Sequence, residues 1–257
     1  MNAEHTGRIV HRDLMSTDPE ASKRFFCALF GWSASEVAPA GPESKHTQLR
    51  HRDQMVCALM HFDANHGFPS HFIPYVASDD VDAFCERAKQ AGGTVCFGPM
   101  DLGDAGRWAL INDPGGGLFT AFRGSGPYAP QHDGATPAGL FCWEELLATD
   151  PAREMAFYSE VCGWGSESVD IEGATYHTFT RGDQQLAGCM RKPADAPGPT
   201  AWLSYVSVED VDATRARAAE LGAQVWVEPT DLPDIGRFAV LADPTGASFA
   251  IYRHAGG

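Results

Sequence analysis

The chain has 257 residues, of which 44% are hydrophobic, so it is long enough to bury one large core or two ordinary ones. Its formal net charge of −15 argues against nucleic acid and anionic membranes as partners, because both are bound through clustered Lys and Arg side chains. The sequence contains no run of about 18 apolar residues that would span a bilayer, and its first residues lack the pattern of a secretion signal. We therefore expect a cytoplasmic protein with no membrane partner.

In chain order, the first clear element is a helix that begins at Asp18 and Pro19. Aspartate is a favoured N-terminal cap and proline a favoured first helical residue. Phe25 and Phe26 belong to an apolar stripe at helical spacing, and Gly31 ends the helix. The elements predicted next are β-rich runs around one further helix: strands at 56–60 and 72–76, the helix at 80–91, and strands at 107–111 and 118–122.

The second half of the chain repeats this order. Asp150-Pro151 repeats Asp18-Pro19 after 132 residues, and the stretch 231–237 repeats 101–107 after 130 residues. A Gly- and Pro-rich stretch without periodicity separates the two copies. We therefore predict a first module at 8–123, a linker at 124–138 and a second module at 139–253.

Three local patterns accompany the repeat. The Asp-Pro helix is followed by Gly-Trp, a Val-x-Asp-Val-Asp helix start occupies 208–212, and an Asp-Pro-x-Gly-x-x-Phe close occupies 243–249. With these patterns the chain resembles the vicinal oxygen chelate superfamily of glyoxalases, extradiol dioxygenases, fosfomycin-resistance enzymes and bleomycin-binding proteins, over nearly its whole length. The resemblance implies an α+β fold of tandem modules, each with two βαβββ units that form a cup-shaped mixed sheet with helices outside.

The resemblance also implies where a metal would be held. Catalytic members place ligands on the first strand, near the end of the first unit, on the strand that opens the second unit, and near the last strand. The residues at three of these places, in the two modules, are His11 and Trp143, Ile73 and Leu203, and Thr120 and Ala250. The strands that close the first units contain no carboxylate. One ligand, His11, is too few for a divalent ion, so we expect no metal and no cofactor. If the register assumed for these strands is shifted by two residues, the same strand face is kept and two further donors are added. His11, Asp13 and His71 then form an alternative metal site.

Both modules carry an acid on the same strand face, Asp13 in the first and Glu145 in the second. A carboxylate that faces an apolar hollow must find a partner or become neutral. One candidate partner, which we favour, is an internal ion pair with the repeated Arg107 or Arg237. The other is a donor or cationic group on a bound ligand.

The remaining side chains on the presumed cup walls are mostly apolar, aromatic or sulfur-containing. The predicted ligand-binding residues are His11, Asp13, Met60, His71, Tyr75, Trp143, Glu145, Met190 and Tyr205. Such walls suit a drug-sized, partly aromatic molecule. The leading hypothesis is metal-independent binding or sequestration of an aromatic metabolite or antibiotic, in a resistance or biosynthesis accessory role, with Asp13 or Glu145 as the polar anchor.

Two other classes of function are also consistent with the sequence. One is an enzyme: a glyoxalase-like lyase, isomerase or oxygenase that uses the His11 cluster, or a metal-free tailoring enzyme with Glu145 or Asp13 as general base. The other is a protein-interaction role with vestigial cups. The expected partner is a small molecule, and the expected assembly is a monomer whose modules form an internal pseudo-dimer, or a homodimer.

Overall fold

A computed structural model describes residues 5–37, 46–63, 65, 67–125, 136–171, 173–196 and 198–256. Most of the predicted linker, 126–135, lies outside the described residues. Among the helices that are described, none has the length and apolar character needed to cross a membrane.

The described chain contains four α-helices, and each begins directly after an aspartate. They are α1 (Pro19–Phe30), α2 (Val81–Gln90), α3 (Pro151–Cys162) and α4 (Val211–Glu220). In each, the aspartate side chain accepts a hydrogen bond from the backbone N–H three residues later, which satisfies a donor that the helix leaves unpaired. Gly31 and Gly163 end α1 and α3 with φ angles of 67° and 69°, a left-handed conformation that glycine adopts without strain. The helices predicted from sequence are confirmed.

The cap of α2 provides a test of this local chemistry. Asp80→Ala is expected to lower the free energy of unfolding by about 1 kcal/mol, because the N–H of Ala83 loses the carboxylate that now lies 3.0 Å away. Asp80→Ser should retain most of the stability, since a hydroxyl caps the same N–H. Urea denaturation of both variants measures the difference, and equal stabilities would contradict the capping role.

Sixteen strands within the described residues form two mixed eight-stranded sheets. The strands of the first repeat are β1 (Ile9–Ser16), β2 (Ser33–Val37), β3 (His46–His51), β4 (Gln54–His61), β5 (His71–Ala77), β6 (Thr94–Asp101), β7 (Gly106–Asn112) and β8 (Leu118–Gly124). Those of the second are β9 (Phe141–Ala148), β10 (Gly165–Ile171), β11 (Ala174–Arg181), β12 (Gln184–Arg191), β13 (Ala201–Ser207), β14 (Gln224–Leu232), β15 (Gly236–Ala242) and β16 (Ser248–His254).

The two sheets have the same strand order. The first runs β2-β3-β4-β1-β5-β8-β7-β6, and the second runs β10-β11-β12-β9-β13-β16-β15-β14. Within each half of a sheet one pair is parallel, β1 with β4 and β5 with β8 in the first sheet, and the others are antiparallel. A helix follows the first strand of each half, as a βαβββ unit requires. The predicted α+β fold of tandem modules with curled mixed sheets is confirmed.

By their contacts, the described residues divide into two compact units that do not coincide with the sequence repeats. The first unit draws on Met1–His11, Ile73–Tyr128 and Trp143–Trp202, and the second on Arg12–Phe72, Ala129–Cys142 and Leu203–Gly257. Each unit has its own apolar core with residues from both repeats: Phe84, Phe119, Tyr158 and Trp164 in the first, and Phe26, Leu49, Leu241 and Phe249 in the second. The module boundaries drawn from sequence stay a prediction.

The Asp-Pro-x-Gly pattern forms the turn between the last two strands of each repeat. Asp113 accepts hydrogen bonds from the backbone N–H groups of Gly115 and Gly117 at 2.9 and 2.7 Å, and from the Tyr158 hydroxyl at 3.0 Å. Burial raises the pKa of Asp113, and the negative charge of Glu154 raises it further. Asp113 is therefore a buried acid that holds its proton to a higher pH than an exposed aspartate.

Candidate functional site

The candidate site lies in the first unit, on the face of β9 that carries Glu145. Because side chains alternate along a strand, Trp143 and Glu145 share this face. Parallel pairing with β12 places Gly188 opposite Glu145 and Met190 two residues further along the same face. Glu145 is only 3% exposed. A carboxyl group is thus held in the sheet beside a residue that has no side chain.

Tyr176 of β11 completes the site, and we call Trp143, Glu145 and Tyr176 the Glu145 cluster. The hydroxyl of Tyr176 donates to Oε2 of Glu145 at 2.9 Å and accepts from the indole N–H of Trp143 at 3.1 Å. The second carboxyl oxygen of Glu145, Oε1, is buried and has no hydrogen-bond partner among the described residues. The cluster therefore contains one buried polar atom whose hydrogen-bonding capacity no described residue uses.

Gly188 makes room for this arrangement. A Cβ atom at position 188 would overlap the Tyr176 hydroxyl oxygen and would lie 2.8 Å from each carboxyl oxygen of Glu145. In the first module the corresponding strand pair places Asp13 opposite Ala58. Asp13, the shorter acid, thus stands opposite an alanine, and Glu145, the longer acid, stands opposite a glycine. In both modules a larger acid side chain is matched by a smaller residue on the neighbouring strand, which indicates close packing between the two strands.

The surroundings of Glu145 favour its neutral form. Burial raises the pKa of Glu145 to about 8, although the hydrogen bond from Tyr176 and the nearby indole N–H of Trp143 act in the opposite direction. Burial, and then the nearby charge of Glu145, also raises the pKa of Tyr176, so the phenol keeps its proton. Near neutral pH the pair is therefore a carboxylic acid beside a phenol, and Glu145 can donate a proton as well as accept a hydrogen bond.

The internal ion pair that we favoured from sequence is wrong. Arg107 pairs with Asp82 at 2.7 Å and with Asp101 at 3.1 Å, and neither acid is on the β9 face. Arg237 pairs in the same manner with two acids of its own unit, Asp212 and Asp231, both at 2.8 Å. Each repeated arginine thus fixes the start of a helix to a neighbouring hairpin. Among the described residues, the ion pairs of the two arginines are with these four acids and not with Glu145.

The other predicted site residues of the first unit lie on two strand faces. His11 packs its ring edge-on against Tyr75, with ring centroids 5.0 Å apart, and Tyr75 packs in the same way against Phe122 at 5.5 Å. Met190 and Trp143 belong to the face that holds the Glu145 cluster. The structure thus brings Trp143 and Glu145 together, while His11 and Tyr75 form a separate aromatic contact.

The remaining predicted residues belong to the second unit. Asp13 is 6% exposed and lies on the same face of β1 and β4 as Met60, which stands opposite Met15. His71 begins β5, where its Nδ1 lies 2.9 Å from the carbonyl oxygen of Pro69 and burial lowers its pKa. Tyr205 lies in β13 opposite Ala250. Their role in ligand binding stays a prediction.

Sequence reasoning missed Tyr176, which supplies the partner of the acid. Two signals pointed to it. Tyr176, Thr178 and Thr180 occupy alternate positions of β11, and a glycine inside the next strand, Gly188, marks a close approach by another group. Neither signal says which side chain approaches, because that depends on the register of β11 against β12.

A divalent metal is the group that the fold family implies. Across the described parts of the chain, no three or more His, Cys, Asp or Glu side chains form a group that could hold a metal ion. His11, Asp13 and His71 are therefore not assembled as a metal-binding group. The described side chains do not fit a divalent ion, so we derive no chemical step through one.

The two eight-stranded mixed sheets, which share one strand order, are those of a two-module protein of the vicinal oxygen chelate class. Two family models match its sequence: the Glyoxalase/Bleomycin resistance protein/Dioxygenase superfamily at residues 8–120 and the Glyoxalase-like domain at residues 143–252. The chain belongs to this superfamily.

Two curated relatives match almost the whole chain. "Putative glyoxylase CFP32" of Mycobacterium tuberculosis is 38% identical over 250 residues, which cover 95% of this chain and 93% of the relative. "Anthracycline biosynthesis protein DnrV" of Streptomyces peucetius is 32% identical over 252 residues, covering 93% and 90% respectively. Because both alignments span the two modules, the tandem arrangement is common to all three proteins.

Solved structures share the fold at low sequence identity. The Mn(II)-bound glyoxalase from Novosphingobium aromaticivorans superimposes with a TM-score of 0.63 and 17% identity, over 96% of this chain and 82% of that one. The 2,3-dioxygenase LapB from Pseudomonas sp. KL28 gives 0.61 and 14%, over 96% and 93%. The prediction that no cofactor is involved is wrong for this fold, because the first of these neighbours holds Mn(II).

Proposed function

We propose that the protein binds a small, partly aromatic molecule at the Glu145 cluster, with Glu145 as the polar anchor. The observation that carries this proposal is Oε1 of Glu145, which is buried and has no partner among the described residues. Leaving a buried polar atom without a hydrogen bond costs about 1–3 kcal/mol. A ligand atom that pairs with Oε1 recovers this free energy, so the site is prepared for a polar group at one defined position.

The other members of the site support an aromatic ligand. Trp143 and Tyr176 are half-buried, so each of the two side chains is partly exposed to solvent, and Met190 lies on the same strand face as Trp143. Aromatic rings and a thioether provide flat, polarisable surface for another ring system. The name of the Streptomyces relative, an anthracycline biosynthesis protein, supports a polycyclic aromatic ligand and a biosynthesis accessory role over a resistance role.

Truncation of the anchor tests this proposal. With 1,8-dihydroxyanthraquinone as the probe, wild-type protein should bind and quench tryptophan fluorescence, and Glu145→Ala should lose roughly tenfold in affinity, the equivalent of one buried hydrogen bond. Glu167→Ala, the same change at an exposed position of β10 in the same unit, is the matched control and should bind as wild type does. Circular dichroism verifies that both variants are folded. Equal affinity of wild type and Glu145→Ala would remove Glu145 from the site.

A second candidate function, an enzyme that transfers a proton from Glu145, is favoured by one observation. The pKa of Glu145 is raised to about 8, close to the value at which a general acid works best near neutral pH. The glyoxylase name of the mycobacterial relative supports catalysis of this kind. In this reaction Glu145 would donate its proton to the carbonyl oxygen of a ketone while solvent water removes the α-hydrogen as a proton. Wild-type protein should then accelerate deuterium exchange at the α-carbon of 1-tetralone, measured by NMR, and Glu145→Gln, which has no acidic proton to transfer, should not. No acceleration by wild type would reject this second function.

A further inference from the structure

The hydrogen bonds of the Glu145 cluster fix where its protons lie. The oxygen of Tyr176 accepts the indole N–H of Trp143, and its own hydrogen is donated to Oε2 of Glu145. Oε2 is therefore the acceptor oxygen of the carboxyl group. If the acid is neutral, its proton resides on Oε1, which is the oxygen without a partner.

In the part of the chain that the structure describes, no cationic side chain is among the groups that shift the pKa of Glu145. Glu145 accepts a hydrogen bond from the phenol of Tyr176, which in turn accepts from the indole of Trp143, and both of these groups are neutral. Arg107 and Arg237 pair with other acids. A buried carboxylate without a counter-ion is unfavourable by several kcal/mol, so the group takes up a proton instead. The cluster thus presents an O–H donor to a ligand, in the same way that a buried neutral acid can act as a hydrogen-bond donor.

We propose that the ligand offers a neutral carbonyl oxygen to the O–H of Glu145, and that it is an aromatic ketone or quinone and not an aromatic cation. This inference rests on the proposed function, because it names the ligand class for the same site. An aromatic cation would need a carboxylate, and ionising Glu145 for it would require the proton to leave a site where burial favours the neutral form. A carbonyl oxygen needs no change of protonation.

Glutamine is the substitution that separates the two ligand classes. In Glu145→Gln, the amide oxygen can accept from Tyr176 as Oε2 does, and the amide NH2 can donate where Oε1–H does. The variant keeps the shape and the donor but can never carry a negative charge. Glu145→Ala removes both the donor and the charge. Comparing the two variants therefore shows whether ligand binding requires a hydrogen-bond donor at position 145 or a negative charge there.

The experiment compares two flat tricyclic probes of similar size, the neutral 1,8-dihydroxyanthraquinone and the cation proflavine, by isothermal titration calorimetry on the full chain. The expected result is that the quinone binds wild type, binds Glu145→Gln within about threefold of wild type, and loses roughly tenfold in affinity for Glu145→Ala. Proflavine should bind all three proteins weakly and equally.

Two results would overturn the inference in distinguishable ways. If proflavine binds wild type well and both variants abolish its binding, the ligand class is a cation, and the proposed function stands without this inference. If neither probe binds wild type, or if Glu145→Ala binds the quinone as wild type does, the proposed function itself fails and the inference fails with it.

Discussion

Gly188→Ala is expected to lower the free energy of unfolding by about 3 kcal/mol and to reduce the affinity for 1,8-dihydroxyanthraquinone roughly tenfold. The added methyl group would overlap the Tyr176 hydroxyl and press on both carboxyl oxygens of Glu145 at 2.8 Å. Because the sheet holds β9 and β12 in register, the strands cannot separate to relieve this contact. Tyr176 must swing away, and its hydrogen bond to Glu145 is then lost.

A double-mutant cycle with Tyr176→Phe identifies the cause. Phenylalanine lacks the oxygen that the new methyl group meets, so Gly188→Ala should destabilise the Tyr176→Phe protein by about 1 kcal/mol less than it destabilises wild type. Chemical denaturation of the four proteins provides the coupling free energy. If Gly188→Ala has the same effect in both backgrounds, the overlap with the Tyr176 hydroxyl is not the source of the instability.

The second large effect is on the pH dependence of stability. Glu145 has a pKa of about 8 in the folded protein and near 4.5 in an unfolded chain, so between these values the folded state holds a proton that the unfolded state releases. Stability must therefore fall as the pH rises through this window. Between about pH 5 and pH 8 the contribution of Glu145 to this fall is roughly 3 kcal/mol.

The comparison of wild type with Glu145→Gln isolates this contribution. Asp113 has a raised pKa as well, so its contribution has the same sign, but it is present in both proteins and cancels in the difference. Urea denaturation at several pH values should show that Glu145→Gln gains stability relative to wild type as the pH rises. Parallel profiles for the two proteins would mean that Glu145 is ionised in the folded state.

The sequence determined the elements and the position of the acid. Helix caps such as Asp18 and stops such as Gly31 act through backbone groups within a few residues, so they can be recognised without a fold. Alternation along β9 likewise places Trp143 and Glu145 on one face by strand geometry alone. The repeat, read from matching stretches, predicted two similar modules, and the two sheets have the same strand order.

The tertiary structure alone decided what the acid contacts. Tyr176 is 31 residues from Glu145 in sequence, and its hydroxyl reaches the carboxyl because β11 and β9 both flank β12, where Gly188 leaves space. Arg107, which sequence assigned to an acid on the cup wall, reaches Asp82 at the start of α2 instead. Charge and periodicity define which groups need partners. Which partner they obtain depends on strand register and on the space between side chains, and these exist only once the chain has folded.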